Sequence, residues 1–106
     1  MSEWIDVSNI NDFKSGSKKV IDIDGTMVIV VNIAGNYFAI EDICTHDGGD
    51  LSGGRIEADT IICPRHGAKF CLKTGEALTP PAFEAVSTFP TRIVEHKLQV
   101  RDARWD

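Results

Sequence analysis

The first forty residues alternate short apolar runs with turn-forming dipeptides, a pattern of antiparallel strands rather than helices. Residues 18–24 interleave Val20, Ile21 and Ile23 with charge, and Asp24-Gly25 is a hairpin turn signal. Thr26–Ile33 follows as a strongly β-branched strand; Gly35-Asn36 predicts the next turn and residues 37–40 the next strand. From residue 41 to 75 the apolar periodicity weakens and glycines crowd in at 48, 49, 53, 54, 67 and 75. Ile56, Ile61 and Ile62 predict two short strands inside this stretch. Strands return after residue 85, with 88–95 and 98–102 forming a hairpin across His96-Lys97. The only helical signal is a turn near residues 10–13. The pattern predicts an all-β fold of stacked antiparallel sheets. A base made from both chain ends, 1–41 and 76–106, carries an inserted loop-rich subdomain, 42–75.

Size and charge narrow what such a fold can do. A chain of 106 residues is one domain by length, and 42 % hydrophobic residues supply a small core to which a bound metal can add stability. The longest apolar run, residues 27–31, is strand-sized, far short of the ~20 residues that cross a bilayer. The opening residues lack the basic and apolar regions of a signal peptide, so a cytoplasmic location without a membrane is expected. Eleven basic and sixteen acidic residues give a formal net charge of −5, which argues against nucleic acid or an anionic membrane as partner. The same charge suits a partner with a basic docking surface, and equally serves solubility. Three cysteines, an odd number, point away from a disulfide framework and towards metal or thiol chemistry.

Two of those cysteines stand in matched motifs: Cys44-Thr45-His46 and Cys63-Pro64-Arg65-His66-Gly67, separated by residues 47–62. Each offers one thiolate and one imidazole. Two arrangements use such a set: tetrahedral zinc, or a two-iron cluster with both cysteines on one iron and both histidines on the other. Structural zinc spacing is usually Cys-x2–4-Cys with His-x3–5-His. Mixed pairs, one of them with a single intervening residue, suit a binuclear centre better, because each loop then serves both irons.

Cys-x-His, sixteen residues and Cys-Pro-x-His-Gly resembles the ligand signature of Rieske [2Fe–2S] proteins, and the flanking strands extend the likeness over the whole chain. The resemblance implies a Rieske-like fold and one [2Fe–2S] cluster. It places Cys44 and Cys63 on the buried iron, and His46 and His66 on the outer iron through their δ nitrogens. It also implies one-electron transfer, with no catalytic residues in this chain. Respiratory members of the family add a disulfide between the loops and a membrane anchor, and place a serine and a tyrosine after the second motif. Here the matching positions are Gly49, Arg65, Ala68 and Phe70, so neither the bridge nor the hydroxyl donors exist. Losing donors to sulfur lowers the reduction potential, and Asp42, Asp47 and Asp50 push the same way. The expected potential lies in the lower part of the Rieske range of roughly −150 to +300 mV.

The likeness is strongest to the ferredoxins of bacterial aromatic-ring dioxygenases. It implies redox protein partners, a flavin reductase and a terminal oxygenase, for a monomeric carrier. The alternatives are a non-catalytic subunit like the small subunit of assimilatory nitrite reductase, or a redox-sensing or accessory Rieske protein. Among the remaining residues, Gly48-Gly49 and Gly67 suit close backbone approach to the sulfurs or simple turns. Pro80-Pro81 suits a lid over the cluster or an ordinary loop. Cys71 reads as a small buried apolar residue, with a fifth ligand or a redox thiol as the alternatives, and His96 as a solvated turn residue. Arg65 and Lys69 read as docking rim or solvated edge.

Overall fold

Three hairpins of identical turn geometry organise the chain. In the computed structural model, which describes residues 3–106, β2 (Lys18–Ile23) turns into β3 (Thr26–Ile33) through Asp24 and Gly25 at φ of 50° and 91°. β3 turns into β4 (Asn36–Glu41) through Ala34 and Gly35 at 52° and 87°, so the turn sits one residue before the expected Gly35-Asn36. The last hairpin joins β8 (Thr91–Val94) and β9 (Lys97–Val100) through Glu95 and His96 at 51° and 68°. That corrects the His96-Lys97 turn and shortens both expected strands. Two central residues at positive φ match the right-handed twist of the flanking strands, which is why two-residue loops recur here. His96 is exposed, as expected.

The strands form three antiparallel sheets. β2-β3-β4 makes one; β1 (Ile5–Asn9), β9 and β8 make a second in the order β1-β9-β8; β5 (Arg55–Glu57), β6 (Thr60–Ile62) and β7 (Lys69–Cys71) make a third. A 3-10 turn at Ile10–Asp12 is capped by Asn9, whose side chain accepts from the Asn11 N–H. β1 escapes the periodicity because it pairs with β9, about ninety positions away, across a bulge between Asp6 and Ser8. Residues 1 and 2, part of the expected base and N-terminal reading, lie outside the described residues.

β3 is the keystone. Val28, Ile29, Val30 and Val31 are all fully buried, because the strand is covered on both faces. Ile29 and Val31 point into a core shared with Ile40, Leu51, Ile61, Phe70 and Leu72; Val28 and Val30 point into a second core with Val7, Phe89, Leu98 and Val100. A one-residue slip would exchange the two sets, so both cores fix its register. The first core contains Cys44 and Cys63, so the loops that carry them rest directly on β3 and β4.

Candidate metal centre

Each motif folds into the same knuckle. The Cys44 carbonyl accepts from the Gly48 N–H at 2.7 Å, and the Cys44 N–H donates to the Gly49 carbonyl at 2.7 Å. In the second loop the Cys63 carbonyl accepts from the Gly67 N–H at 3.1 Å, and the Cys63 N–H donates to the Ala68 carbonyl at 2.7 Å. Both loops are closed by a glycine four residues after the cysteine, Gly48 at φ 76° and Gly67 at 75°, a conformation that disfavours any side chain. These two glycines therefore make the turns.

The closed knuckles aim backbone N–H groups at sulfur. Those of His46 and Asp47 bond the Cys44 thiol, and those of Arg65 and His66 bond that of Cys63. The two thiols also hydrogen-bond each other. Burial pushes the Cys44 thiol up against these N–H groups. Burial acts likewise at Cys63, but the N–H groups of Arg65 and His66, the Cys44 thiol and the Arg65 charge outweigh it and leave the thiol below its ordinary value. Both cysteines are almost wholly inaccessible, at 0 % and 1 %, while His46 and His66 are exposed. The imidazole rings meet edge to face, centroids 4.9 Å apart and planes at 90°.

The donor atoms fall into two groups, each within 4.8 Å: the Cys44 and Cys63 sulfurs with an Asp47 oxygen, and the His46 and His66 nitrogens with the same residue. A buried sulfur pair and an exposed nitrogen pair, each with its own focus, fit a binuclear centre in both number and chemistry. Asp47 is no spare ligand. Its carboxylate receives Arg65 Nε at 2.5 Å, Arg65 Nη2 at 3.1 Å and the Gly49 N–H at 2.9 Å. Arg65 also reaches the Asp50 carbonyl at 2.8 Å and its carboxylate at 3.4 Å. Arg65 is therefore a tie between the loops rather than a free rim charge, and it offsets the negative charge expected from Asp47 and Asp50. Arg65 holds the Asp47 carboxyl well below the usual carboxylate range.

The surroundings are held by three further devices. Asp42 Oδ1 accepts the N–H groups of Leu51 at 2.6 Å and Ser52 at 2.9 Å, closing the first loop from behind. Thr45 Oγ1 donates to the Glu84 carbonyl at 2.6 Å, and Ala82 packs in the same core as Cys44 and Cys63, so the segment after Pro80-Pro81 lies against the site. Ala68 and Phe70 are fully buried there without a hydroxyl. Cys71 is half-buried on β7, where the Thr74 hydroxyl and nearby backbone N–H groups lower its thiol against the effect of burial; it belongs to neither donor group. Among the described residues no helix is long and apolar enough to cross a membrane.

Comparison with known proteins agrees with this geometry. Residues 3–90 match the Rieske [2Fe–2S] domain family. The ferredoxin subunit of 3-phenylpropionate/cinnamic acid dioxygenase from Shigella flexneri serotype 5b (strain 8401) is 45 % identical over 73 residues, covering 67 % of this chain and 69 % of that one. Its counterpart from Escherichia coli (strain K12) is 44 % identical with the same coverage. The ferredoxin of carbazole 1,9a-dioxygenase from Nocardioides aromaticivorans IC177 superposes with a TM-score of 0.86 at 26 % identity, covering 92 % of this chain and 95 % of that one. A chain in the complex of reduced oxygenase and oxidised ferredoxin of carbazole 1,9a-dioxygenase gives 0.87 at 28 % identity, with 92 % of each covered. The chain belongs to the Rieske [2Fe–2S] family. It is an electron-transfer protein of the ferredoxin type rather than an enzyme, and its cofactor is one [2Fe–2S] cluster.

Proposed function

We propose that Cys44, His46, Cys63 and His66 hold the cluster, and that this chain passes electrons from a flavin reductase to a terminal oxygenase of the aromatic-ring dioxygenase type, in the cytoplasm. The observation that carries the reading is the pair of matched knuckles, each presenting a buried cysteine and an exposed histidine. The relatives named as dioxygenase ferredoxins support the partner class. Residues 42–75 act as the cluster-binding unit on a base of 1–41 and 76–106, sharing with it the core around β3.

When bound, a [2Fe–2S] cluster supplies a site that takes up and gives back one electron at a time. Cys44 and Cys63 would offer thiolates in a buried pocket, where four backbone N–H groups stabilise negative charge on sulfur. His46 and His66 bring imidazole edges to the surface, which keeps the path to a docked partner short. Ala68 and Phe70 withhold the hydroxyl donors that would raise the potential. Arg65 offsets part of the acidic charge at the rim, leaving the potential set chiefly by the missing donors.

Iron and acid-labile sulfide analysis tests the assignment, combined with a redox titration. Two irons and two sulfides per chain are expected, with alanine at Cys44, His46, Cys63 or His66 abolishing the native centre and Cys71→Ala sparing it. A single zinc without sulfide, or dependence on Cys71, would overturn it. The one-electron wave is expected in the lower part of the family's range of roughly −150 to +300 mV; a midpoint above about +150 mV contradicts the donor argument.

A further inference from the structure

Asp47 directly follows His46 and Arg65 directly precedes His66, so a bond between them spans the two histidine loops at their ligand positions. The bond is a two-pronged fork, Nε to Oδ2 at 2.5 Å and Nη2 to Oδ1 at 3.1 Å, with Nη2 also on the Asp50 carbonyl at 2.8 Å. The Gly49 N–H, 2.9 Å from Oδ1, holds the carboxylate in place beforehand. Both residues lie on the exposed rim of the site, so the grip rests on the two-pronged geometry rather than on exclusion of solvent. Gly49 adds an independent sign. It is absent from the positive-φ glycines, so its backbone does not demand glycine. A Cβ there would stand 2.6 Å from Arg65 Cζ and Nη2, inside the seat of the guanidinium.

We propose that Arg65 is a positioning residue: its guanidinium, seated against Gly49, ties Asp47 and Asp50 of the first loop to the second and fixes the spacing of His46 and His66. The proposal rests on the ligand assignment above. Lysine cannot replace it fully, because a point charge lacks the fork that grips both carboxylate oxygens. The tie slows cluster loss, since both loops must part before the imidazoles can leave. Its charge is a separable effect: the cation next to Asp47 and Asp50 favours the reduced centre.

Chelator-driven bleaching of the holoprotein by EDTA, alongside the midpoint potential and the electron paramagnetic resonance signal of the dithionite-reduced protein, tests both parts. Arg65→Ala is expected to bleach about tenfold faster, a loss of about 1.4 kcal/mol of barrier, and to shift to lower potential. Arg65→Lys keeps the potential of the parent but still bleaches several-fold faster. Gly49→Ala accelerates bleaching several-fold when Arg65 is present and adds nothing in the Arg65→Ala background. Bleaching of Arg65→Ala within twofold of the parent, or an equal Gly49→Ala effect in both backgrounds, overturns the proposal. If Arg65→Ala takes up no cluster, the same comparison is made in the Arg65→Lys background, where the Gly49→Ala effect must shrink. A parent protein without a two-iron signal would overturn the ligand assignment as well, and so is told apart from failure of the tie alone.

Discussion

Asp42 holds the first cysteine–histidine loop shut, and its removal has a calculable cost. One carboxylate oxygen accepts two backbone N–H groups, Leu51 at 2.6 Å and Ser52 at 2.9 Å, and Leu51 is fully buried. Hydrogen bonds to a charged group contribute about 1.5–3 kcal/mol each, and Asp42 is half-buried, so the lower figure applies. Asp42→Ala therefore costs about 3 kcal/mol. A chain of this size loses roughly 4–8 °C per kcal/mol, which makes the expected fall in melting temperature about 12–24 °C. Asp42→Asn keeps an oxygen that can accept both N–H groups and should cost only about 1 kcal/mol. Thermal scans of the holoproteins at pH 7 and one fixed scan rate, followed by circular dichroism and by visible absorption, provide the assay. A midpoint for Asp42→Ala within about 2 °C of the parent, well under 1 kcal/mol, refutes the reasoning, as does an asparagine variant no better than alanine.

Two further predictions concern the scaffold. Gly75 sits at φ 77°, and a Cβ there would lie 2.1 Å from the Val86 carbonyl oxygen, so Gly75→Ala should destabilise by more than about 1 kcal/mol in urea titrations. Gly53, with open space around it and no positive φ, should accept alanine almost freely; equal effects at the two sites would contradict this. Asp102 is held below the ordinary carboxylate value by the Arg104 side chain, against the effect of burial, with Arg101 adding to the charge field. A depressed folded value gives stability that is present above the unfolded pKa of about 3.9 and is lost as pH falls through the folded one. Asp102→Asn should therefore be less stable than the parent at pH 7, with the gap closing as pH falls below about 4. A gap independent of pH would show that the carboxylate charge is not what stabilises there.

The two knuckles were legible because each is local: cysteine, histidine and closing glycine lie within five positions of one another. The β2–β3 hairpin was legible for the same reason, since Asp24-Gly25 favours positive φ by its own chemistry. The terminal hairpin was less so. Glu95 and His96 adopt the same left-handed pair against their preference, held there by the registers Val94↔Lys97 and Ile93↔Leu98. β1 was invisible because its partner strand lies at the other end of the chain. The Arg65–Asp47 tie escaped for a different reason: one arginine and one aspartate, eighteen positions apart, look like ordinary surface charge. The signal available was their placement, each beside a histidine of its own motif. Cys71 was misread because a single cysteine in a strand carries no mark of its burial, and the structure leaves it half-exposed.

Two histidines and two cysteines of this chain are proposed to share one two-iron cluster. Pulsed electron paramagnetic resonance of the dithionite-reduced protein, uniformly labelled and then with 15N confined to histidine, tests this most directly. Strong coupling of the unpaired electron to two histidine nitrogens is expected, with His46→Cys and His66→Cys each removing one of them and leaving the other. A reduced protein with no histidine nitrogen coupling, or with coupling unaffected by either substitution, would contradict it.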